Sequence, residues 1–323
     1  MNHDLYNQLW EANFSELNDP ESFPHTRPML AHYTSIEVFE LILKTEEIWL
    51  SNPLFMNDWE ELRFGTNEGA RAFYGCKALE SACKTSARYD RLVDAFSHYL
   101  DEFSNKNALD IYAFCLSRHE KEDNQDGRLS MWRGYGGNGK GVAIVFDTEK
   151  LDPTPSSPFI VSRVRYESTA QRLEWLNKKM LETGSLIEQL EVSDDDLYLV
   201  AYVLFERIKL AALFSKHDGF KEEKEWRIVY LKDRDKENKF TTSFGHVITG
   251  RGVEPKLRYK ICPIEGVTAP DFSLSKLIYQ IILGPSISHR LAHESVLRLM
   301  DNIKKSELKE RVTCSRIPYR PAI

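Results

Sequence analysis

The sequence predicts an α+β fold, with a mixed and mostly antiparallel sheet core interrupted by long helical inserts. Three observations carry this. Short apolar, β-branched runs recur from about residue 29 to residue 317. Long stretches with helical periodicity fill residues 64–105 and 168–215. The two kinds of segment do not alternate regularly, which argues against a doubly wound parallel sheet. The chain has 323 residues, 42% hydrophobic and 28% charged, ample for a globular core. We expect an N-terminal helix and connector over 1–28. A core domain should follow over 29–285, its helical inserts near 64–105 and 168–215. A C-terminal helix and strand over 286–323 should pack on that core.

Taken in order, residues 4–17 form a short amphipathic helix burying Leu5, Leu9 and Trp10, and a proline-containing connector follows. Residues 29–33 read as a strand, after which Thr34 or Ser35 caps a helix to about Lys44. Residues 48–50 are a second strand and 51–58 a loop rich in residues that bond their own backbone. The 64–105 segment reads as two helices broken near 85–87. Residues 110–117 form an apolar strand, 118–128 an exposed polar loop, and 131–140 an aromatic turn running into a glycine-rich loop. Strands are expected at 142–146 and 160–166, and helices at 168–190 and 193–215. In the last of these, Ser193 and three aspartates suit a helix start. Strands at 223–231, 256–262 and 278–283, a helix to about 304 and a strand within 311–317 complete the chain.

A net charge of −6 gives no sign of a nucleic-acid binder. The five cysteines form no C-x-x-C pair and their number is odd, as expected in the reducing cytoplasm. No apolar run approaches the roughly 18 residues of a spanning helix, so no membrane role is expected. The first residues do not read as a signal peptide.

The stretch with most chemical content is residues 220–231, Phe-Lys-Glu-Glu-Lys-Glu-Trp-Arg-Ile-Val-Tyr-Leu. Strand alternation places Glu223, Glu225 and Arg227 on one face and Lys224, Trp226 and Ile228 on the other. Such a face is either a solvated edge with weak ion pairs or a cleft where charge is used. His32 ends a strand, where it serves as a core histidine bonded to backbone or points into a cleft. Asp58, Glu60 and Glu61 suit a helix N-terminus, and alternatively a hard-metal site. Met131, Trp132 and Tyr135 precede a glycine-rich loop that is neither a Walker loop nor a dinucleotide fingerprint. They either anchor a turn or offer a flat surface for a ring. Cys115, inside an apolar strand, reads as core.

One ordered set of residues is familiar. It runs His32, Tyr33, Thr34 and Ser35; Ser51, Asn52 and Pro53; Asn57, Asp58 and Glu60; Phe114 to Ser117; Met131, Trp132 and Tyr135; Gly141 to Phe146; Phe220, Glu223, Glu225, Trp226 and Arg227; and Ile282 to Pro285. Over about 29–285 the chain resembles the bacterial family called domain of unknown function 2971. The motif order is similar to that of the ADP-ribosyltransferase superfamily. That resemblance implies an ADP-ribosyltransferase-like sheet, NAD as substrate, Glu225 and Glu223 as catalytic residues, and His32 as the first cofactor contact with Tyr33 and Thr34 beside it. Ser117 or Tyr135 would match the middle motif, with Trp132 and Tyr135 near the nicotinamide and Arg227 holding either Glu225 or a phosphate. It also implies a toxin or phage-defence role. Two other readings stay open from the residues: a metal-dependent hydrolase or nuclease using Asp58, Glu60, Glu223 and Glu225, and a non-catalytic sensor or interaction protein on a degenerate transferase scaffold.

Overall fold

The computed structural model describes residues 2–17, 19–56, 59–123, 125–151, 154 and 157–319, with only the backbone of 59–61. The helices in chain order are α1 (His3–Phe14), α2 (Ile36–Thr45), α3 (Trp59–Gly75), α4 (Lys77–Cys83), α5 (Ser86–Asn105), α6 (Leu129–Gly134), α7 (Thr169–Gln189), α8 (Leu197–Leu213), α9 (Leu274–Leu277) and α10 (Arg290–Asn302). The strands are β1 (Met29–Thr34), β2 (Glu47–Ser51), β3 (Ile111–Arg118), β4 (Val142–Asp147), β5 (Phe159–Arg163), β6 (Arg165–Glu167), β7 (Ser215–His217), β8 (Glu225–Leu231), β9 (Phe244–Thr249), β10 (Gly252–Lys260), β11 (Ile278–Leu283) and β12 (Val312–Cys314). The fold is α+β, with a mostly antiparallel open sheet.

The chain divides into two compact units, one built from Met1–Ser22, Asn52–Ile111 and Val164–Lys221, the other from Phe23–Ser51, Tyr112–Arg163 and Glu222–Ile323. The first unit is helical. Helix α8 is its axis, against which α1, α3, α5 and α7 pack. A helix buried on one face needs only a stripe of apolar residues, but α8 is enclosed nearly all round, its Glu206, Arg207 and Lys209 included. Two glycines let α3 come close: a Cβ on Gly65 would lie 2.5 Å from the Ala212 Cβ. Phe73 stacks on Phe96 at 3.9 Å, and Phe205 meets Phe96 edge-on. A two-stranded parallel ribbon, β6 with β7, completes this unit.

The second unit holds the large sheet, in the order β12-β11-β4-β1-β3-β2-β10-β9, with β8 also pairing with β3 and β5 with β8. One face carries the main core, which includes Leu30, Phe39, Phe114, Ile144, Trp226, Tyr230 and Ile281. The other face has a smaller cluster of Ala31, Tyr33, Met131, Trp132, Ala143, Val145 and Ile282. Membership of the two clusters alternates along β1 and β4, as the pleat requires.

Several expected elements change. The 160–166 strand is two strands in different sheets: β5 pairs with β8, and after the buried Val164 the chain continues as β6 beside β7. The 64–105 stretch forms three helices rather than two: the expected break falls at Lys84 (φ +63°), which ends α4 in the left-handed region before the Thr85 side chain caps α5, and a second break at Cys76 separates α3 from α4. The hairpin β9–β10 extends the sheet with a strand not anticipated from the sequence. The 131–140 turn is a short helix, α6, followed by a tight glycine loop.

Candidate functional site

The start of β8 organises the candidate site, all of it within the sheet unit. The expected strand over 223–231 begins two residues late. Residues Asp218–Glu223 form a 3-10 turn, and Lys224 (φ +44°) reverses the chain before Glu225 enters the sheet. A left-handed non-glycine residue breaks the period-two alternation, so Glu223 does not share the strand face of Glu225 and Arg227. The rest of the register is as the pattern implies. Trp226 is 3% exposed and belongs to the main core. Glu225 and Arg227 lie on the opposite face, and that face is enclosed too, at 5% and 7% exposure. Arg227 grips the carboxylate with two bonds, Nε to Oε1 at 2.7 Å and Nη2 to Oε2 at 3.2 Å. This bidentate geometry is the strongest a carboxylate–guanidinium pair adopts.

Strand β3 lies beside β8. The Arg118 N–H bonds the Lys224 carbonyl at 2.9 Å, and the Tyr112 and Tyr230 rings meet at 6.4 Å. Together these imply an antiparallel register with Ser117 across from Glu225 and Cys115 across from Arg227. Ser117 Oγ donates to the Glu223 carbonyl at 2.6 Å, and Tyr135 O–H donates to Glu223 Oε1 at 2.8 Å. The Tyr135 ring is 42% exposed. Ser117, Tyr135 and Glu223 thus meet at one rim, next to where β8 begins.

Arg128 is the residue that the sequence reading missed. Its guanidinium reaches Ser117 Oγ (3.2 Å), the Glu222 and Arg118 carbonyls (3.1 and 3.3 Å) and Asp123 (2.7 Å), while its backbone N–H donates to the Tyr33 hydroxyl (2.8 Å). Lys224 also pairs with Glu120. The stretch expected to be an exposed loop is therefore tied to the end of β3 and to the turn before β8. Its only sequence signal is an arginine at the end of the polar loop, three residues before the aromatic turn.

His32 sits where the sheet splits. The β1–β3 ladder covers Leu30 and Ala31 and then stops. The His32 Nδ1 lies 3.3 Å from the Cys115 carbonyl and so carries the proton, standing in for a backbone donor, and the ring rests against Phe114 at 4.4 Å. Burial lowers its pKa to about 4, outweighing the opposing pull of that hydrogen bond. The ring is therefore neutral, and Nε2 is left as an acceptor. Phe114 and Leu30 lie on the main-core face, whereas Glu225 and Arg227 are on the reverse of Trp226. His32 and Glu225 are not joined by a direct contact.

Tyr33 and Trp132 belong to the smaller core cluster. They meet edge-on at 4.8 Å, and the Trp132 Nε1–H donates to the Asp126 carbonyl at 2.8 Å. Burial pushes the Tyr33 pKa up to about 12. Trp132 is wholly enclosed, so of the two rings on this turn Tyr135 is the exposed one. Thr34 is buried beside the glycine loop, where a Cβ on Gly141 would fall 2.1 Å from the Thr34 carbonyl. That loop is a crossing point of backbones. Among the described residues no three His, Cys, Asp or Glu side chains gather as a metal cage. Asp58 and the Glu60 side chain lie outside the described residues.

No curated protein and no solved structure matches the chain. A family model described as a protein of unknown function (DUF2971) matches residues 131–228, the span from the aromatic turn through Glu223, Glu225 and Arg227.

Proposed function

We propose that the chain is an ADP-ribosyltransferase-like enzyme acting on NAD at the rim where β8 begins. The observation that carries this is the Glu225–Arg227 chelate, enclosed on the strand beside Ser117, with Glu223 and the exposed ring of Tyr135 next to it. Breaking the nicotinamide–ribose bond sends its electron pair to the departing nicotinamide and leaves oxocarbenium character at the ribose carbon. A carboxylate fixed in orientation by Arg227 stabilises that charge without rearranging during the reaction. The acceptor group then attacks the ribose carbon, and Glu223 takes its proton. Tyr135 supplies a face for the nicotinamide ring.

A second reading, a ligand-binding sensor on the same scaffold, is favoured by two observations. The His32 Nδ1–H is committed to the Cys115 carbonyl, and Trp132 is sealed in the core. One experiment separates the two: nicotinamide release and NAD affinity, measured on wild type and Glu225→Gln. The transferase reading expects turnover in the wild type and a loss of about 10²–10³ in rate for the variant. NAD affinity should change far less, because the carboxylate acts mainly in the transition state. NAD binding without turnover in the wild type gives the site to the sensor reading. No binding at all sinks both.

A further inference from the structure

We infer that a cavity in the sheet unit, on the Trp226 side of β8, is a binding site for a small amphipathic carboxylic acid. The cavity measures about 280 Å³ and is walled by Leu50, Val161, Ile228, Val267 and Phe272. Ile228 is two residues from Trp226 and faces the same way, so this space lies behind β8, away from the Glu225–Arg227 chelate. An apolar cavity of about 150 Å³ is enough to hold benzene. The volume here suits an apolar body of roughly ten carbons.

The hydroxyls of Thr154, Ser157 and Thr268, which also line the space, are bonded to backbone, and two further polar residues line it. Tyr259 is 9% exposed, and Arg234 is half-buried. Among the described residues neither side chain has a hydrogen-bond or ion-pair partner. Neither polar head is a sealed orphan, so both remain open to a partner, and a hydroxyl and a guanidinium beside an apolar space gain from a head group that bonds them. The adjacent acid does not serve Arg234: Asp235 accepts from the Tyr230 hydroxyl and from the backbone N–H groups of Lys239 and Phe240. Burial raises the Tyr259 pKa, so the phenol stays a neutral donor. An apolar wall with one cationic and one neutral donor matches a carboxylate head on a hydrocarbon or aryl body. A base or an amine would meet Arg234 unfavourably.

The test uses the intact chain with decanoate, decanol and decylamine as probes, followed by titration calorimetry and thermal melting. Decanoate should bind saturably and raise the melting temperature. Decanol should bind roughly 10–100-fold more weakly, the factor expected of a charge-assisted bond. Arg234→Gln should bring decanoate down to the decanol level and leave decanol unchanged, and Tyr259→Phe should weaken both. Val161→Trp, which fills the cavity, should abolish binding. If it does not fold, Arg234→Gln still decides, because that side chain is only half-buried. The inference is overturned if decanoate does not saturate, if decylamine binds as well as decanoate, or if Arg234→Gln leaves decanoate affinity intact.

Discussion

Each unit contains an arginine enclosed against a glutamate, and the two pairs differ in what they connect. In the helical unit, Arg207 on α8 is 2% exposed. It bonds Glu16, donates to the Asn13 carbonyl at 3.1 Å and lies over Trp175 at 4.6 Å. Its hydrogen-bond partners Asn13 and Glu16 come from nearly two hundred residues away, so the pair fastens the N-terminal segment to α8. In the sheet unit, Arg227 bonds Glu225, two residues away on the same strand. That bond brings no distant segments together. Enclosing charge costs free energy in both places, but the Arg207–Glu16 bond itself joins distant segments and the Arg227–Glu225 bond itself does not. A buried ion pair is therefore no sign of function by itself. A mutual bond that spans only two residues of one strand, as between Glu225 and Arg227, fastens no remote segment by itself and leaves the pair open to a role in the chemistry of its site.

The comparison breaks first at Trp226, which backs onto the Glu225–Arg227 face. Trp226→Ala should cost about 3–5 kcal/mol of stability, read from denaturant midpoints. A variant that melts like wild type would mean that β8 does not present its faces as described. Next is Arg207→Met, expected to cost roughly 2–4 kcal/mol through lost packing and an orphaned Asn13 carbonyl. Its kinetic constants per folded molecule should not change. If catalysis falls along with stability, the division between a structural and a functional pair fails. Glu225→Gln should also destabilise modestly, since Arg227 would face a neutral amide and Glu223 stands off the strand. A carboxylate crowd on one face, as expected from the sequence, would instead have made that change neutral or favourable.

Acid sharpens the same contrast. His32 titrates near 4 in the folded state against an ordinary 6.5. Between these values the unfolded chain binds the proton and the folded one does not, so stability falls as pH drops from about 6.5 to about 4. The loss is at most about 3 kcal/mol, an upper bound for a ring that is not fully enclosed. Urea midpoints against pH should show a slope in that window that His32→Gln flattens. An unchanged slope would mean that the imidazole does not sit neutral in the sheet split. The smallest effect belongs to Tyr135→Phe, which removes one bond to Glu223 at an exposed rim. It should leave the melting temperature nearly unchanged and cut nicotinamide release by about tenfold or less. A loss as large as that of Glu225→Gln would move the catalytic assignment toward Glu223.

The sequence by itself determined what depends on local periodicity and composition. Alternation along residues 225–231 already separated Trp226 from Glu225 and Arg227, because a pleat admits only two faces. Apolar periodicity located α8, and it placed a helix cap at Thr34 or Ser35, of which the structure uses Ser35. Tertiary structure decided everything that depends on which segments meet. Lys224 turns the chain and removes Glu223 from the strand face, since a left-handed residue resets alternation and leaves no mark on hydropathy. Arg128 became a clamp only because the fold carried the end of β3, Asp123 and the Glu222 carbonyl to one guanidinium. His32 lost its freedom to donate because the β1–β3 ladder stops and leaves the Cys115 carbonyl facing it. Trp132 and Tyr135, three residues apart on one aromatic turn, were equal in the sequence. Packing against Tyr33 enclosed the first and left the second open, since burial belongs to the neighbours that a residue acquires.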